Sequence, residues 1–432
     1  MEKSIWEKSC SMPEKPRLEG DKTTDVLIIG AGITGILCAH ALKQAGINCT
    51  VAEMYRACRG TTGRTTAKIT ALHGLIYADL IKKSGFKAAE KFYKISAAAI
   101  DGYGELSKSI DCDFKRSTAY TYTLNSPDKI KAEYDALRSL GAPSEHFRDL
   151  QLPFGTVSAV GLKNQAQFNP LKLLPELSRN LEIYENTKIT DFTSGTAFYE
   201  RGKIKADKII VTARFPFVDR RGLYFLKMHQ QRSYCFALKN APFPDGMYID
   251  EAEGGYSFRK YRDFLILGGG GGRTGKKLGG YEALEIFRKK YFPKSEIIAK
   301  WAAQDCVSLD KLPYIGAYSP NMPMVYVATG FCKWGMTSAM AAAMVLRDEI
   351  TGVKNEFADI FDPARSILKP SLVTNGLESA AGYLYPSVKS CPHLGCALKY
   401  NEAEGTWDCP CHGSRFTKNG RVIDTPAVKD LK

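Results

Sequence analysis

Residues 25–53 read DVLIIGAGITGILCAHALKQAGINCTVAE, and this stretch decides the architecture of the first part of the chain. An apolar run at 25–29 ends on Gly30, residues 33–46 follow with helical periodicity and a closing glycine, and residues 48–53 form a second short strand. Strand, helix and strand in this order make a βαβ unit, which predicts a parallel sheet with helices on its faces. Gly30, Gly32 and Gly35 spell GxGxxG at the strand-to-helix turn. The first glycine permits the tight turn and the second lets the backbone approach a diphosphate. The third brings the helix onto the strand, and the N-terminus of the helix, with Ile33 and Thr34, faces the anion. Glu53, followed by Met54, ends the second strand about twenty residues on, where a carboxylate accepts hydrogen bonds from a ribose. The plain alternative is a glycine turn with an incidental carboxylate.

Working outward, residues 59–70 (RGTTGRTTAKIT) are dense in hydroxyls and small residues. Hydroxyls and backbone N–H groups of this kind suit the diphosphate and ribityl chain of a dinucleotide, whereas a polar surface loop is the simpler reading. Residues 203–212 (KIKADKIIVT) return to the buried-strand style. Near the far end, LPYIG at 312–316 and the strand at 324–329 precede GFCKWGMT at 330–337, which opens a helix. A helix N-terminus aimed at a flavin pyrimidine stabilises negative charge there. Between these segments, residues 86–110 and 128–140 have the periodicity of amphipathic helices, and 114–124, 233–238, 256–259 and 264–267 that of strands in an antiparallel sheet.

Four matches together resemble the superfamily of D-amino-acid, glycine and sarcosine oxidases: GAGITG with Glu53, the TTGRTTAK loop, LPYIG, and VATGF with its following turn and helix. The resemblance implies an α/β, Rossmann-like FAD-binding domain from residues 20–75, 156–220 and 301–352. It implies an inserted α+β substrate domain with an antiparallel sheet from 76–155 and 221–300. By the same resemblance Gly30, Gly32, Gly35 and Glu53 hold the adenosine and diphosphate of FAD. Thr62, Gly63, Thr65, Thr66, Ala67 and Lys68 line the path toward the flavin. Ile189, Thr212 and Ala213 flank the adenosine, and Gly330, Phe331, Trp334, Gly335, Met336 and Thr337 lie over the isoalloxazine. Residues 270–277 (GGGRTGKK) nearly spell a P-loop, but the last position is Lys where Mg²⁺ coordination needs Ser or Thr, so ATP binding is rejected. In the resembling family this stretch is a glycine-rich turn between the inserted sheet and a helix, close to the substrate pocket.

Of twelve cysteines, eight have no framework spacing, which suits a reducing cytoplasm. The other four crowd into the tail: Cys391-Pro-His393-Leu-Gly-Cys396, then Cys409-Pro-Cys411-His412-Gly-Ser414. C-x-H paired with C-x-x-H puts two thiolates and two imidazoles on facing loops, as in a Rieske [2Fe–2S] centre, where two cysteines take one iron and two histidines the other. A Cys₂His₂ zinc site is the competing reading. It would place two ligands one residue apart and leave Cys396 and Cys411 without a task. Resemblance to Rieske proteins of the respiratory type implies Cys391, His393, Cys409 and His412 as ligands, a Cys396–Cys411 disulfide, and a hydrogen bond from Ser414 to a cluster sulfur. Phe416 stands where high-potential relatives have a tyrosine, so one hydrogen bond is missing and a lower potential is expected. The strands that usually precede the first ligand loop are absent. The tail is therefore expected as a small all-β cluster-binding lobe, 391–432, leaning on the flavoprotein after a linker at 353–390. The fusion itself is similar to a bacterial family of fused oxidoreductases.

Hydrophobic residues at 44% and charged residues at 25% describe an ordinary globular chain. The net charge of +14 is scattered and not clustered with stacking aromatics, which argues against nucleic acid and toward an acidic partner at most. The most apolar long stretch, 325–345, is interrupted by Lys333 and predicts a buried strand and helix in place of a membrane span. No apolar signal segment opens the chain, and the cytoplasm is the expected compartment.

A reduced flavin holds two electrons and a [2Fe–2S] centre accepts one. The combination therefore implies an amine or amino-acid oxidation coupled to single-electron transfer to an external acceptor protein. The rivals are a redox sensor or adaptor without a small-molecule substrate, and electron flow inward from an external donor protein. Arg259, Arg262, Arg273 and Lys333 are candidates to anchor a substrate carboxylate, and His229 and Tyr234 to face the pocket; each is otherwise an ordinary solvated or core residue. Cys306 lies near the region where some sarcosine oxidases link flavin covalently, but the register does not support equating them.

Overall fold

The computed structural model describes residues 2–218, 221–276, 279–366, 368, 370–383 and 387–431, folded around three sheets. At the centre of the first, Lys22–Ile29 pairs in parallel with Cys49–Ala52 on one side and Gly202–Val211 on the other. Glu182–Tyr184 extends one edge, while Val325–Thr329 and then Tyr314–Ala317 extend the other. Strands buried on both faces must be apolar throughout, which is why Val26–Ile29 and Ile209–Val211 carry no polar alternation. The helices Ile33–Gln44 and Gly335–Thr351 pack on each other beside this sheet. Their buried faces mix small residues such as Gly35, Ala39, Ala339 and Ala342 with larger ones such as Ile36, Leu42, Met340 and Leu346.

The second sheet has nine strands in a largely antiparallel order that runs from Glu296–Ser308 through Met228–Lys239, Phe264–Arg273, Ser257–Tyr261, Met247–Asp250, Lys115–Thr123 and Ser158–Gln167 to Lys68–Ile69. Ser144–Phe147 pairs off Ser158–Gln167. The helices Phe86–Ser107 and Pro127–Ser139 fall where the periodicity placed them. Two differences from expectation concern sheet membership. Ser158–Gln167 and the 301–308 part of Glu296–Ser308, expected in the nucleotide layer, belong to this second sheet. Neither segment is read as a strand from the sequence, and Glu296–Ser308 follows its partner Met228–Lys239 along nearly its whole length, which commits it to this sheet. The glycines at 268–272, expected partly as a turn, lie within the strand Phe264–Arg273. There a side chain at Gly271 would strike the backbone oxygen of Arg232.

The third sheet is a four-stranded antiparallel meander, Lys399–Asn401, Thr406–Asp408, Arg415–Thr417 and Val422–Asp424. Ahead of it, the expected linker contains a 3₁₀ turn, Ala358–Phe361, and a helix, Pro370–Tyr383. The helix escaped a periodicity reading because its inward face is polar and small (Asn375, Ser379, Gly382). The polar N-terminus is also ordered. Ser4 and Glu7 form a capping box on the helix Ile5–Ser9, and Trp6 is fully buried with its indole N–H donating to Thr65 O at 2.7 Å. Residues 219–220, Lys277 and 384–386, which fall within stretches assigned above, lie outside the described residues. No helix among the described residues is long and apolar enough to cross a membrane.

Candidate functional site

A cavity of about 850 Å³ opens at the carboxyl ends of the central strands, where a parallel sheet leaves its ligand crevice. Gly30, Gly32, Ile33, Thr34, Glu53, Met54, Thr62, Ile189, Thr212, Ala213, Gly330, Phe331, Gly335 and Met336 all line it. The glycine turn is tight. A Cβ on Gly35 would lie 1.9 Å from Gly30 O, so only glycine lets this helix sit on its strand, and one on Gly32 would lie 3.3 Å from Thr62 Oγ1. Thr62 Oγ1 accepts from Ile33 N at 3.0 Å, and Thr212 Oγ1 donates toward the carbonyls of Ile29 and Gly30. The Glu53 carboxylate accepts from Ala31 N at 2.9 Å and Tyr55 N at 3.0 Å, which fixes its orientation; burial raises its pKa, against those two hydrogen bonds.

Gly35, Gly63, Thr65, Thr66, Ala67, Lys68, Trp334 and Thr337 are not among the lining residues. Several have other work. Thr337 Oγ1 staples its helix to Thr70 through bonds of 3.0 and 2.9 Å, and Trp334 stacks on His73 at 4.8 Å. Thr65 Oγ1 accepts from Ala67 N at 2.9 Å, and Ala67 takes φ 55°, a left-handed conformation. Lys68 is enclosed: burial, and then Arg259, bring its ammonium down to about 7.

The candidate carboxylate anchors separate clearly. Arg259 is fully buried, donates to Ala67 O at 2.6 Å and lies over the Trp6 ring at 5.1 Å, so it is a core strut. Arg262 is exposed beside Asp113. Arg273 reaches into the tail, as described below. Lys333 follows Cys332 in a loop where both take positive φ, 73° and 51°, strained values for non-glycine residues and common at functional sites. Lys333 is exposed and is not among the residues that line the cavity; the protein around its ammonium lowers its pKa, with Asp305 opposing. It has no ion-pair partner among the described residues. His229 is partly buried, and desolvation chiefly lowers its pKa, to about 3. Tyr234 packs edge-on against Tyr281 at 4.8 Å. Cys306 lines the cavity with its thiol pushed up by burial, which makes it a poor nucleophile.

In the tail, the two cysteine loops face each other. Cys391 N donates to Cys396 O at 2.8 Å and Cys409 N to Ser414 O at 2.8 Å. Cys396 and Cys411 are joined in a disulfide. The Cys409 sulfur lies within 4.8 Å of both disulfide sulfurs. The Cys391 and Cys409 thiols share a hydrogen bond that draws Cys391 down to about 6 and raises Cys409, and the Ser414 hydroxyl helps to lower Cys391. The rings of His393 and His412 are 5.2 Å apart. His412 is buried between Phe215 and Phe225, and its Nδ1 has no hydrogen-bond partner, a costly state for a buried nitrogen unless it binds a metal. Two hydrogen-bonded thiols and two imidazoles 5.2 Å apart, carried on facing loops, are a donor set that fits an iron–sulfur cluster of mixed ligation.

Sequence reasoning missed how the tail meets the body. Arg415, Ile423, Asp424, Thr425 and Val428 line the same cavity as Gly30 and Glu53. The meander is held there by buried charges. Arg415 contacts Asp408 at 3.0 Å, Glu404 at 3.2 Å and Asp424 at 3.2 Å; Arg232 pairs with Glu404, and Arg214 with Asp424. Gln230 Nε2 donates to His412 O at 2.8 Å and Thr425 O at 2.7 Å, and Gln304 Nε2 to Gly413 O at 2.7 Å. Arg273 donates to Pro410 O at 3.0 Å and Cys411 O at 2.8 Å. The stretch that nearly spelled a P-loop is thus part of the cradle for the second cysteine loop. Arg214, in the loop after the strand Gly202–Val211, and Arg232, inside the strand Met228–Lys239, announce no partner in sequence; only the structure shows the carboxylates they meet.

A profile of FAD dependent oxidoreductases matches residues 25–349, three quarters of the chain, and one of the Rieske [2Fe-2S] domain matches 367–432. The chain belongs to the FAD dependent oxidoreductase family. It is an FAD-dependent oxidoreductase with a Rieske domain that binds a [2Fe–2S] cluster. The putative Rieske 2Fe-2S iron-sulfur protein YhfW of Bacillus subtilis (strain 168) is 34% identical over 492 aligned residues, covering 99% of this chain and 97% of that one. The cytochrome b6-f complex iron-sulfur subunit of Synechococcus sp. (strain JA-3-3Ab) is 48% identical over 42 residues, 10% of this chain and 24% of its own. The crystal structure of glycine oxidase from Geobacillus kaustophilus superposes with a TM-score of 0.68 at 16% identity, over 80% of this chain and all of that one. The Rieske match begins inside the expected linker and takes in the helix Pro370–Tyr383.

Proposed function

We propose that this oxidoreductase oxidises an amine or amino acid and passes the electrons, one at a time, through its iron–sulfur cluster to an external acceptor. The observation that carries the reading is the shared cavity, with the glycine turn and Phe331 on one wall and Arg415, Ile423, Asp424, Thr425 and Val428 of the Rieske part on another. Two centres that needed no exchange would not require a common wall. When bound, FAD would supply a hydride acceptor for the carbon that bears nitrogen, and water would hydrolyse the imine so formed.

The residues divide the remaining work. Gly30, Gly32, Ile33, Thr34, Glu53, Met54, Thr62, Ile189, Thr212 and Ala213 hold the adenosine and diphosphate, with Glu53 positioned by Ala31 and Tyr55. Gly330, Phe331, Gly335 and Met336 border the isoalloxazine, at the N-terminus of a long helix whose dipole favours negative charge. Cys391 and Cys409 take one iron, His393 and His412 the other, and the Cys396–Cys411 disulfide ties their loops. Lys333 anchors the substrate carboxylate, being the one candidate cation of the four not engaged elsewhere among the described residues. The similarity to glycine oxidase suggests an amino-acid substrate. The test is an anaerobic panel of amines and amino acids mixed with the holoprotein, following flavin bleaching and then the reduced-cluster EPR signal. A substrate that produces both, in that order, is the expected result. A flavin that no member of the panel bleaches, but that a reduced one-electron carrier does, would refute the reading and reverse the direction of flow.

A further inference from the structure

Six acidic residues line the cavity, and one of them is left without a donor. Glu2 pairs with Lys300, Glu14 with Arg56, and Asp424 with Arg214 and Arg415. Glu7 accepts from Ser4 N, and Glu53 from Ala31 N and Tyr55 N. Asp305, in the strand Glu296–Ser308, lines the same cavity, yet no hydrogen bond or ion pair reaches its carboxylate among the described residues. Burial raises its pKa, with Lys333, Arg214 and Arg232 opposing. Those arginines are committed elsewhere, Arg214 to Asp424, Thr61 and Gln230, and Arg232 to Glu404. A partly buried carboxylate without a donor is costly, and such groups mark places where a ligand brings the missing charge.

The place of Asp305 in the cavity narrows the ligand. Two residues on, Val307 bridges Phe331, and the intervening Cys306 O accepts from Cys332 N at 2.9 Å. This end of the strand is therefore fastened to the turn that opens the helix Gly335–Thr351, where Gly330, Phe331, Gly335 and Met336 border the proposed isoalloxazine site. Asp305 stands at that reacting end, whereas Glu53 stands at the adenosine end.

Resting on the proposed amine oxidation, we propose that Asp305 receives the ammonium group of the substrate, so that the pocket selects organic cations and amino acids over neutral and purely anionic molecules. An ammonium donating to a carboxylate makes a charge-assisted hydrogen bond, and it supplies the partner that the protein withholds from this one acid. Asp305 and Lys333 influence each other's charge without pairing, an arrangement that suits the two ends of a zwitterion. The rival occupant is the cofactor itself, through a ribityl hydroxyl or a ring N–H.

The test titrates the holoprotein with tert-butylammonium, tert-butanol and trimethylacetate, which share one shape and differ in charge, and follows the absorbance of the oxidised flavin. The carbon beside the polar group bears no hydrogen in any of them, so none reduces the flavin. Tert-butylammonium should bind, and Asp305→Asn should raise its Kd at least about tenfold, with Asp305→Glu between variant and parent. Trimethylacetate should bind Asp305→Asn no more weakly than the parent, and both variants should keep their FAD. An unchanged Kd for tert-butylammonium in Asp305→Asn, equal weakening of all three molecules, or no binding of the cation by the parent overturns the proposal. Loss of FAD from Asp305→Asn also overturns it, since the carboxylate then serves the cofactor. If the cation binds as expected but no oxidisable amine bleaches the flavin, the ammonium site stands and the proposed oxidation fails. Oxidation of an amine with the same KM in Asp305→Asn as in the parent would sink the ammonium site and leave the oxidation standing.

Discussion

Gly32 and Lys333 show what single residues contribute. Gly32 faces the cavity with little room for a side chain, because even a Cβ would come within 3.3 Å of Thr62 Oγ1. Gly32→Val adds two methyls beyond that point, so the folded variant should lose FAD. Flavin absorbance per chain measures this, and full FAD occupancy in a folded variant would contradict the placement. Lys333→Met should raise KM for a carboxylate-bearing substrate at least about tenfold with a smaller effect on kcat, since it removes binding shared by ground and transition states. An unchanged KM would return Lys333 to the role of a strained loop residue. The glycine turn was legible in the sequence because its requirement is local: the turn, the helix start and Glu53 all lie within one βαβ unit. Arg259 and Arg273 were not separable from Lys333 by sequence, because each depends on partners far along the chain, Ala67 for the first and Pro410 with Cys411 for the second.

At the scale of elements, the junction between the four-stranded meander and the flavoprotein is held by alternating charges. Burial alone would raise the Asp424 carboxyl, but Arg214, Arg415 and Arg232 outweigh it and hold it well below the usual range. Glu404 is lowered in the same way, chiefly by Arg232 and Arg415 against burial. Carboxyls depressed by folding contribute stability that is fully present above their unfolded value near 4 and is lost as pH falls through their folded values. The meander should therefore undock in acid, and Asp424→Asn should flatten that dependence when intrinsic fluorescence is followed against pH. An identical acid transition in parent and variant would count against the charge network as the clasp. Arg415→Met leaves buried carboxylates uncompensated and should cost about 3–5 kcal/mol in chemical denaturation. Periodicity found the helices Phe86–Ser107 and Pro127–Ser139 because their apolar faces are buried. It missed Pro370–Tyr383 for the opposite reason, since a helix that packs through Asn, Ser and Gly writes no apolar stripe toward the core.

At the scale of the whole molecule, the Rieske part is not an appendage on a tether. It closes one wall of the cavity, and its second cysteine loop rests on Gln230, Gln304 and Arg273 of the larger sheet. Cysteine and histidine spacing made the cluster legible, and the missing strands before Cys391 hinted that it leans on the body. Where it leans was out of reach, because that depends on buried charge pairs whose members are separated by up to 210 residues. The central claim, that the flavin and the cluster act in series, is tested most directly by Cys409→Ser under anaerobic stopped flow. Bleaching of the flavin by substrate should stay within about twofold of the parent, while turnover with a one-electron acceptor should fall at least about tenfold. A variant without the cluster signal that turned over with that acceptor as fast as the parent would contradict the account.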